Sequence, residues 1–409
     1  MKSTIYLLLF SILLSCNEQD IFEQNEEIIE HAELDSNVNP TIPHLFIATD
    51  DELPITSKED YLRGEITIDG KGIYDDLSAQ ATRVRGRGNT TWQKPKKPYR
   101  IKLDNATAIL GLAKAKDWVL LANHQDYTFM TNAVALKIGS QLGLPYTNSL
   151  IAVDVTINGV YQGIYNLTEQ IEVKQERINV GDDGVLLELD DYFDEDYKFK
   201  SKLYKLPVNI KAPDIESDEQ FEAIKEDFEE LERLIYDDKF PENNYGNYFN
   251  KQQFVNYLIV NNLVNNTEIN YPKSVYLHKT KSGKYTMGPI WDFDWGFGFH
   301  KNTQTYFNSP TASLLSFDDK RPGALFFKRL MTDPEIKDLY RQTWTNYRDN
   351  HFVALLEYIE QFASSIRDSH PNDFAKWKVG SNNLPGHKKD MKIYLRSRAN
   401  YIDHYVDNL

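Results

Sequence analysis

The chain reads as an α+β protein, with strands in its first half and helices in its second, and two patterns carry that reading. Between residues 44 and 188, short apolar or alternating runs recur between Gly and Asn turn signals, as half-buried strands require. From residue 217 onward, apolar residues return at the three- and four-residue spacing of a helix face. This segregation suggests two lobes, about 40–212 and about 213–409.

In order, residues 44–48 form a short apolar strand, and 64–69 alternate before the turn signal Gly70-Lys71-Gly72. Residues 81–85 and 99–103 alternate on either side of a basic, glycine-containing loop. A buried run follows at 118–122, then helical spacing over 129–142 that ends at Gly143 and Pro145. Residues 151–157 and 163–167 flank Asn158-Gly159, the strongest short hairpin signal, and 184–188 is a further strand. Ser217-Asp-Glu-Gln220 is a capping box, and it opens a helix with Phe221, Ile224, Phe228, Leu231 and Ile235 on one face. A second helix is predicted over 249–263. A hairpin then follows at 274–277 and 284–287, around Lys281-Ser282-Gly283. Past a loop rich in Trp, Asp and Gly, three more helical stretches run from about residue 324 to the C-terminus.

The N-terminus carries an address. Lys2 precedes an apolar run from Ile5 to Leu14, shorter than the roughly 20 residues of a membrane span but suited to a secretory signal. It ends in Leu13-Leu14-Ser15-Cys16, which resembles a bacterial lipobox. The expectation is a signal over 1–15 and a lipidated Cys16, which is the one cysteine of the chain and leaves no thiol for a disulfide. Residues 17–37 hold eight acidic residues and no Lys or Arg, so 16–39 reads as an acidic tether lifting a domain at 40–409 off the membrane. With Lys2 this stretch supplies −7 of the net charge of −15, and the remainder argues against nucleic-acid binding by a broad basic surface. The protein is expected to face the periplasm or the cell surface, as a monomer.

Three segments can carry chemistry. Residues 83–102 hold eight cations and no acid, with Gly86 and Gly88 following Arg85 and Arg87, so that guanidinium forks and backbone amides can converge on phosphate. A solvated basic strand is the plain alternative. Asp292 and Asp294 lie two residues apart in an apolar, Gly-rich loop, where a cation must compensate them; such oxygens suit Mg²⁺. A structural turn capped by Asp is the alternative there. The loop 265–274 brings Glu268 ahead of that pair, and Asn270 and Ser274 are close enough in sequence to offer neutral oxygens to the same metal. Glu169 and Glu188 are candidates to pair with a basic side chain. The acid-rich stretch 182–196 lacks calcium-loop spacing and reads as a solvated excursion. No Ser-His-Asp order, zinc spacing or Walker loop is present.

Five motifs in order resemble the CotH (spore coat protein H) kinase family. They are Arg85-Gly-Arg-Gly-Asn-Thr-Thr-Trp92 with Pro95-Lys-Lys-Pro-Tyr-Arg-Ile-Lys-Leu103, Lys116-Asp-Trp-Val-Leu-Leu-Ala-Asn123, Gly163-Ile-Tyr-Asn-Leu-Thr-Glu-Gln170, Leu187-Glu-Leu-Asp-Asp191, and Met287-Gly-Pro-Ile-Trp-Asp-Phe-Asp294. The resemblance implies a divergent two-lobed protein-kinase-like fold and transfer of phosphate from ATP, with Mg²⁺ or Mn²⁺, to serine or threonine of secreted or surface proteins. It implies a lysine of the pair Lys96-Lys97, Lys97 ahead of Lys96, with Lys102 as rival, for the nucleotide, assisted by Arg85, Arg87 and Glu169; Asp292, with Asp294, for the metal; and Glu268 for the base. Two departures stand out. Glu268 occupies the place of the family's aspartate, and Thr131 stands where relatives often carry arginine. A degenerate surface binding module is therefore the second reading.

Overall fold

The computed structural model describes residues 33–409; the predicted signal, Cys16 and most of the predicted tether lie outside the described residues. Five strands run as an antiparallel meander: β1 (His44–Thr49), β2 (Leu62–Asp69), β3 (Leu77–Gly86), β4 (Tyr99–Thr107) and β5 (Ala115–Leu121). After helix α1 (Thr131–Gln141), β6 (Leu150–Ile157) and β7 (Val160–Glu169) form the predicted hairpin. Asn158 (φ 49°) and Gly159 (φ 73°) supply the two left-handed residues that a type I′ turn needs.

The outcome overturns the two-lobed kinase-like architecture. β7 pairs with β5, and β6 runs parallel to β1, closing a seven-stranded barrel in the order β1-β2-β3-β4-β5-β7-β6. Alternation gives every strand an inward face but does not say which strands are neighbours. The closing contact joins His44 to Asp154, so no local pattern announces it. The interior is filled by side chains such as Leu45, Ile66, Val84, Ile101, Trp118 and Val153, all fully buried. Along β4, Tyr99, Ile101 and Leu103 point inward while Arg100 and Lys102 are on the outer face, as their alternation predicts.

A second, antiparallel sheet is ordered β12-β11-β8-β10-β9. Its strands are β8 (Val185–Leu189), β9 (Lys198–Lys200), β10 (Pro207–Ala212), β11 (Val275–Lys279) and β12 (Thr286–Met287), drawn from both sides of residue 213. β9 and β10 have no counterpart among the predicted strands, because three residues of Lys-Phe-Lys are too short for a periodic signal and the brief Val208-Asn-Ile-Lys211 alternation is opened by proline, which argues against a strand.

Helix α2 (Asp218–Tyr236) is capped as expected: the Ser217 hydroxyl accepts the Gln220 amide at 3.2 Å. Helix α3 (Lys251–Leu263) is buried on nearly every side, which explains a strongly apolar pattern with little one-sidedness. The C-terminal region holds five helices rather than three: α4 (Pro322–Leu330), α5 (Pro334–Asn350), α6 (Phe352–Ser365), α7 (His370–Trp377) and α8 (Leu384–Asp407). Prolines at the first or second position of α4, α5, α7 and α8 divide what reads as continuous periodicity. Helices and second sheet share one large core that also takes in Ala152 and Ile164 from the barrel's outer face.

A buried ion pair fastens barrel to helices. Lys96, 1% exposed, donates to the Asp373 carboxylate on α7 and to the Ile164 carbonyl at 2.7 Å. Asp373 Oδ2 also accepts the Ile164 amide at 2.8 Å. Gly163 (φ 98°) is required there, since a Cβ would lie 2.1 Å from that oxygen. Among the described residues, no helix is long and apolar enough to cross a membrane.

Candidate active site

A cleft of about 710 Å³ opens where the barrel rim meets the second sheet and the 291–295 loop. Its barrel wall is the end of β3 and the basic loop after it. Two sharp packing constraints shape that loop. Trp92 lies so close over Gly86 that a Cβ would sit 2.3 Å from its ring, and Gly88 has a φ of 78°. The Gly86 and Arg87 amides are taken up by the Ser57 and Pro98 carbonyls at 2.8 and 3.2 Å, so these two amides do not serve as a phosphate nest. The guanidinium groups remain. Arg85 lies 4.8 Å over Tyr61 and donates to the Lys58 carbonyl. Arg87 lies 5.5 Å over Trp291, and its charge opposes the effect of burial on Asp292.

The opposite wall is the Asp-Phe-Asp loop. Ile290, Phe293 and Phe297 are buried and anchor it. Asp292, at φ 58°, adopts the left-handed conformation that aspartate tolerates, which turns its carboxylate into the cleft while Phe293 enters the core. Asn132 at the start of α1 grips the loop twice. Its Oδ1 accepts the Phe293 amide and its Nδ2 donates to Asp294 Oδ1, both at 2.9 Å. Asn132 is held in turn by its neighbours: the buried Asp126 carboxylate accepts the amides and hydroxyls of Thr128 and Thr131. Thr131, at the position of the expected arginine, is therefore part of a local cap that orients the helix start.

Glu268 comes from a 3-10 turn, Thr267–Asn270, that opens with the Asn266 side chain accepting the Glu268 amide at 3.3 Å. Asn266 is itself tied to Asn261, and Ile269 is fully buried, so the turn is rigid beneath a half-buried carboxylate. Burial raises Glu268 above the usual carboxylate range; the Asp292 charge adds to this, and Lys273 opposes it. Burial likewise raises Asp292, though Arg87 pulls it back, and Asp292 is open to water from the cleft while surrounded by protein elsewhere. Asp294 is raised by burial and by the Asp292 charge, and the Asn132 amide opposes the shift.

The cleft thus gathers Arg85, Arg87, Glu268, Ser274, Asp292 and Asp294. Four other expected residues lie elsewhere. Lys97 donates to the Trp92 carbonyl at 2.6 Å and stacks on that ring, away from the cleft. Lys102 is on the outer barrel face beyond it. Glu169 accepts the Ser149 amide at 2.8 Å, and its neighbour Gln170 lines the cleft instead. Asn270 is buried and donates to the Leu314 carbonyl at 2.6 Å. The alternation of 99–103 shows that Lys102 and Arg100 share a face, but not that only Arg100 reaches the cleft, where it binds Asp117 at 2.8 Å.

Three cleft residues escape the sequence reading as site residues. Glu188, noted only as a pairing candidate, meets Lys211 at 3.3 Å. Asp190 accepts the Tyr192 and Ser274 amides at 2.7 and 3.0 Å and so joins the two walls. Lys273 sits between the rings of Tyr192 and Trp295, at 4.9 and 5.1 Å. The Leu-Glu-Leu-Asp-Asp motif was the available signal for the first two.

Residues 84–402 match the family model described as CotH kinase protein. The chain belongs to the CotH kinase family. No curated protein matches it. Family membership supports a kinase-like function and, in general terms, dependence on ATP and metal; within the CotH frame, the cleft contains the acidic loop and the basic loop that define the first and last motifs.

Proposed function

We propose that this CotH-family protein is an ATP- and divalent-metal-dependent kinase acting on serine or threonine of secreted or surface proteins, itself held at the cell envelope through lipidated Cys16. The observation that carries the reading is the convergence of Glu268, Asp292 and Asp294 with Arg87 and Lys273 in one cleft. The donor set fits the implied metal. Asp292 and Asp294 are hard oxygen donors in a site that burial makes short of positive charge. Such a pair suits an ion that takes one or two protein carboxylates and completes its shell from phosphate and water.

Asp292 and Asp294 would hold the ion, with Ser274 on the adjoining wall. When bound, Mg²⁺ or Mn²⁺ supplies charge neutralisation on phosphate oxygens. Arg87 binds phosphate from the barrel side. Glu268 orients the acceptor hydroxyl and takes its proton as the hydroxyl oxygen bonds to the γ-phosphorus. The bond from that phosphorus to the β,γ-bridging oxygen breaks, and its electron pair leaves with ADP. In the metal-free protein burial and the Asp292 charge push Glu268 up to about 9, and a cation held by Asp292 and Asp294 would bring it back toward the range in which a base works at neutral pH.

Glu268→Gln tests the reading. Phosphate transfer from radiolabelled ATP to a Ser-rich peptide should fall about 10²–10⁴-fold, while calorimetric binding of ATP with Mg²⁺ stays within a few fold. Undiminished transfer removes Glu268 as the base. A binding module is the second reading, favoured by the longer Glu268 in the family's aspartate position; it requires nucleotide binding with no transfer in either variant.

A further inference from the structure

Lys273 is the unexplained cation of the cleft. Of the other basic groups on its walls, Arg100 is committed to Asp117 at 2.8 Å, Lys211 to Glu188 and Glu195, Arg85 to the Lys58 carbonyl and Lys58 to Asn89 Oδ1 at 3.2 Å, while Arg87, over Trp291, is the phosphate group already proposed on the barrel side. Lys273 has neither an ion pair nor a hydrogen-bond acceptor among the described residues. Its ammonium instead faces two π-clouds, Tyr192 at 4.9 Å and Trp295 at 5.1 Å. Rings fix a cation in place without cancelling its charge, so the three donors remain available to a ligand.

Its backbone is held on both sides. The Pro272 carbonyl accepts the Asp191 amide at 2.9 Å, and the Ser274 amide donates to Asp190 Oδ2 at 3.0 Å. Beneath it, α4 approaches so closely that a Cβ on Gly323 would lie 2.0 Å from the Ile269 carbonyl and 3.0 Å from Pro272. The charge field explains why a fixed cation belongs here. Lys273 opposes the upward shift of both Glu268 and Asp292, and it comes from the loop before β11 rather than from the barrel wall that carries Arg87.

We propose that Lys273 is a built-in phosphate-binding cation, contacting the terminal phosphate oxygens of the nucleotide so that the phosphate chain is held in part without a divalent ion. This rests on the kinase reading of the same cleft. A charge-assisted contact of this kind is worth roughly tenfold to a hundredfold in affinity.

The test is calorimetric titration of the full chain with inorganic tripolyphosphate, in EDTA and again with Mg²⁺. Wild type should bind in EDTA. Lys273→Met, which keeps the stem between the rings, should weaken binding in EDTA at least tenfold, and Lys273→Arg should stay within threefold of wild type. Lys273→Gln repeats the measurement if the methionine variant unfolds. Equal affinity of wild type and the neutral variants in EDTA, or wild-type binding only with Mg²⁺, overturns the proposal and leaves the kinase reading standing. Wild type that binds neither tripolyphosphate nor ATP under either condition removes the kinase reading itself.

Discussion

Replacing Lys96 by methionine decides whether this lysine of the motif Pro95-Lys-Lys-Pro98 is structural or catalytic. Lys96 is 1% exposed, and among the described residues its ammonium hydrogen-bonds only to Asp373 and the Ile164 carbonyl, under the rings of Phe129 and Tyr165. Burial lowers its proton affinity, and the Asp373 carboxylate offsets only part of that. Methionine fills the same volume but leaves the Asp373 carboxylate, which is also buried, with the Ile164 amide as its neutral partner. An unpaired buried charge costs about 3–5 kcal/mol. With an unfolding entropy of about 2 cal/mol/K per residue, a chain of this length should lose about 4–6 °C in Tm. Adding Asp373→Asn removes the stranded charge while keeping an acceptor for the Ile164 amide, so the double variant should recover at least half of the loss. Urea and thermal unfolding measure both. ATP binding below the transition should be unchanged, because Lys96 does not line the cleft. A loss under 1 kcal/mol, or lost nucleotide binding with an unaltered Tm, refutes the structural role.

Asn132→Ala should strand the Phe293 amide and release Asp294, costing about 1–3 kcal/mol and weakening Mg²⁺-dependent ATP binding about tenfold; unchanged calorimetry would show that the loop needs no clamp. A pH series tests the acidic cluster. Glu268, Asp292 and Asp294 are raised in the folded state, so between the ordinary carboxylate range and their folded values the native protein holds protons that the unfolded chain has released. Stability of the metal-free protein should therefore fall as pH rises through that window, by up to about 1.4 kcal/mol per pH unit for each group. Asp294→Asn should flatten the Tm profile between pH 5 and 9, and the stabilisation by Mg²⁺ should grow with pH because its ligands must be deprotonated. Parallel profiles for wild type and variant would deny Asp294 its shift.

Local signals in the sequence were sufficient for several features. The Asn158-Gly159 turn, the Ser217 cap and the alternation of Tyr99 to Leu103 each involve neighbours within a few residues, and the structure contains all three. The Asp-Phe-Asp loop and Glu268 were legible as chemistry, because paired carboxylates in an apolar setting demand compensation wherever they lie. Tertiary structure alone decided the rest. Period-two patterning cannot report that β1 lies beside β6, so a closed barrel stands where the strand-rich lobe of a two-lobed kinase-like fold was expected. Two adjacent lysines, indistinguishable in sequence, part company because Lys96 faces Asp373 from α7, 277 residues on, while Lys97 turns to Trp92. The aromatic cage of Lys273 likewise draws on Tyr192 and Trp295, which become neighbours only when the second sheet brings the two walls of the cleft together. Pairings made at a distance are fixed by packing, and no short window of sequence contains them.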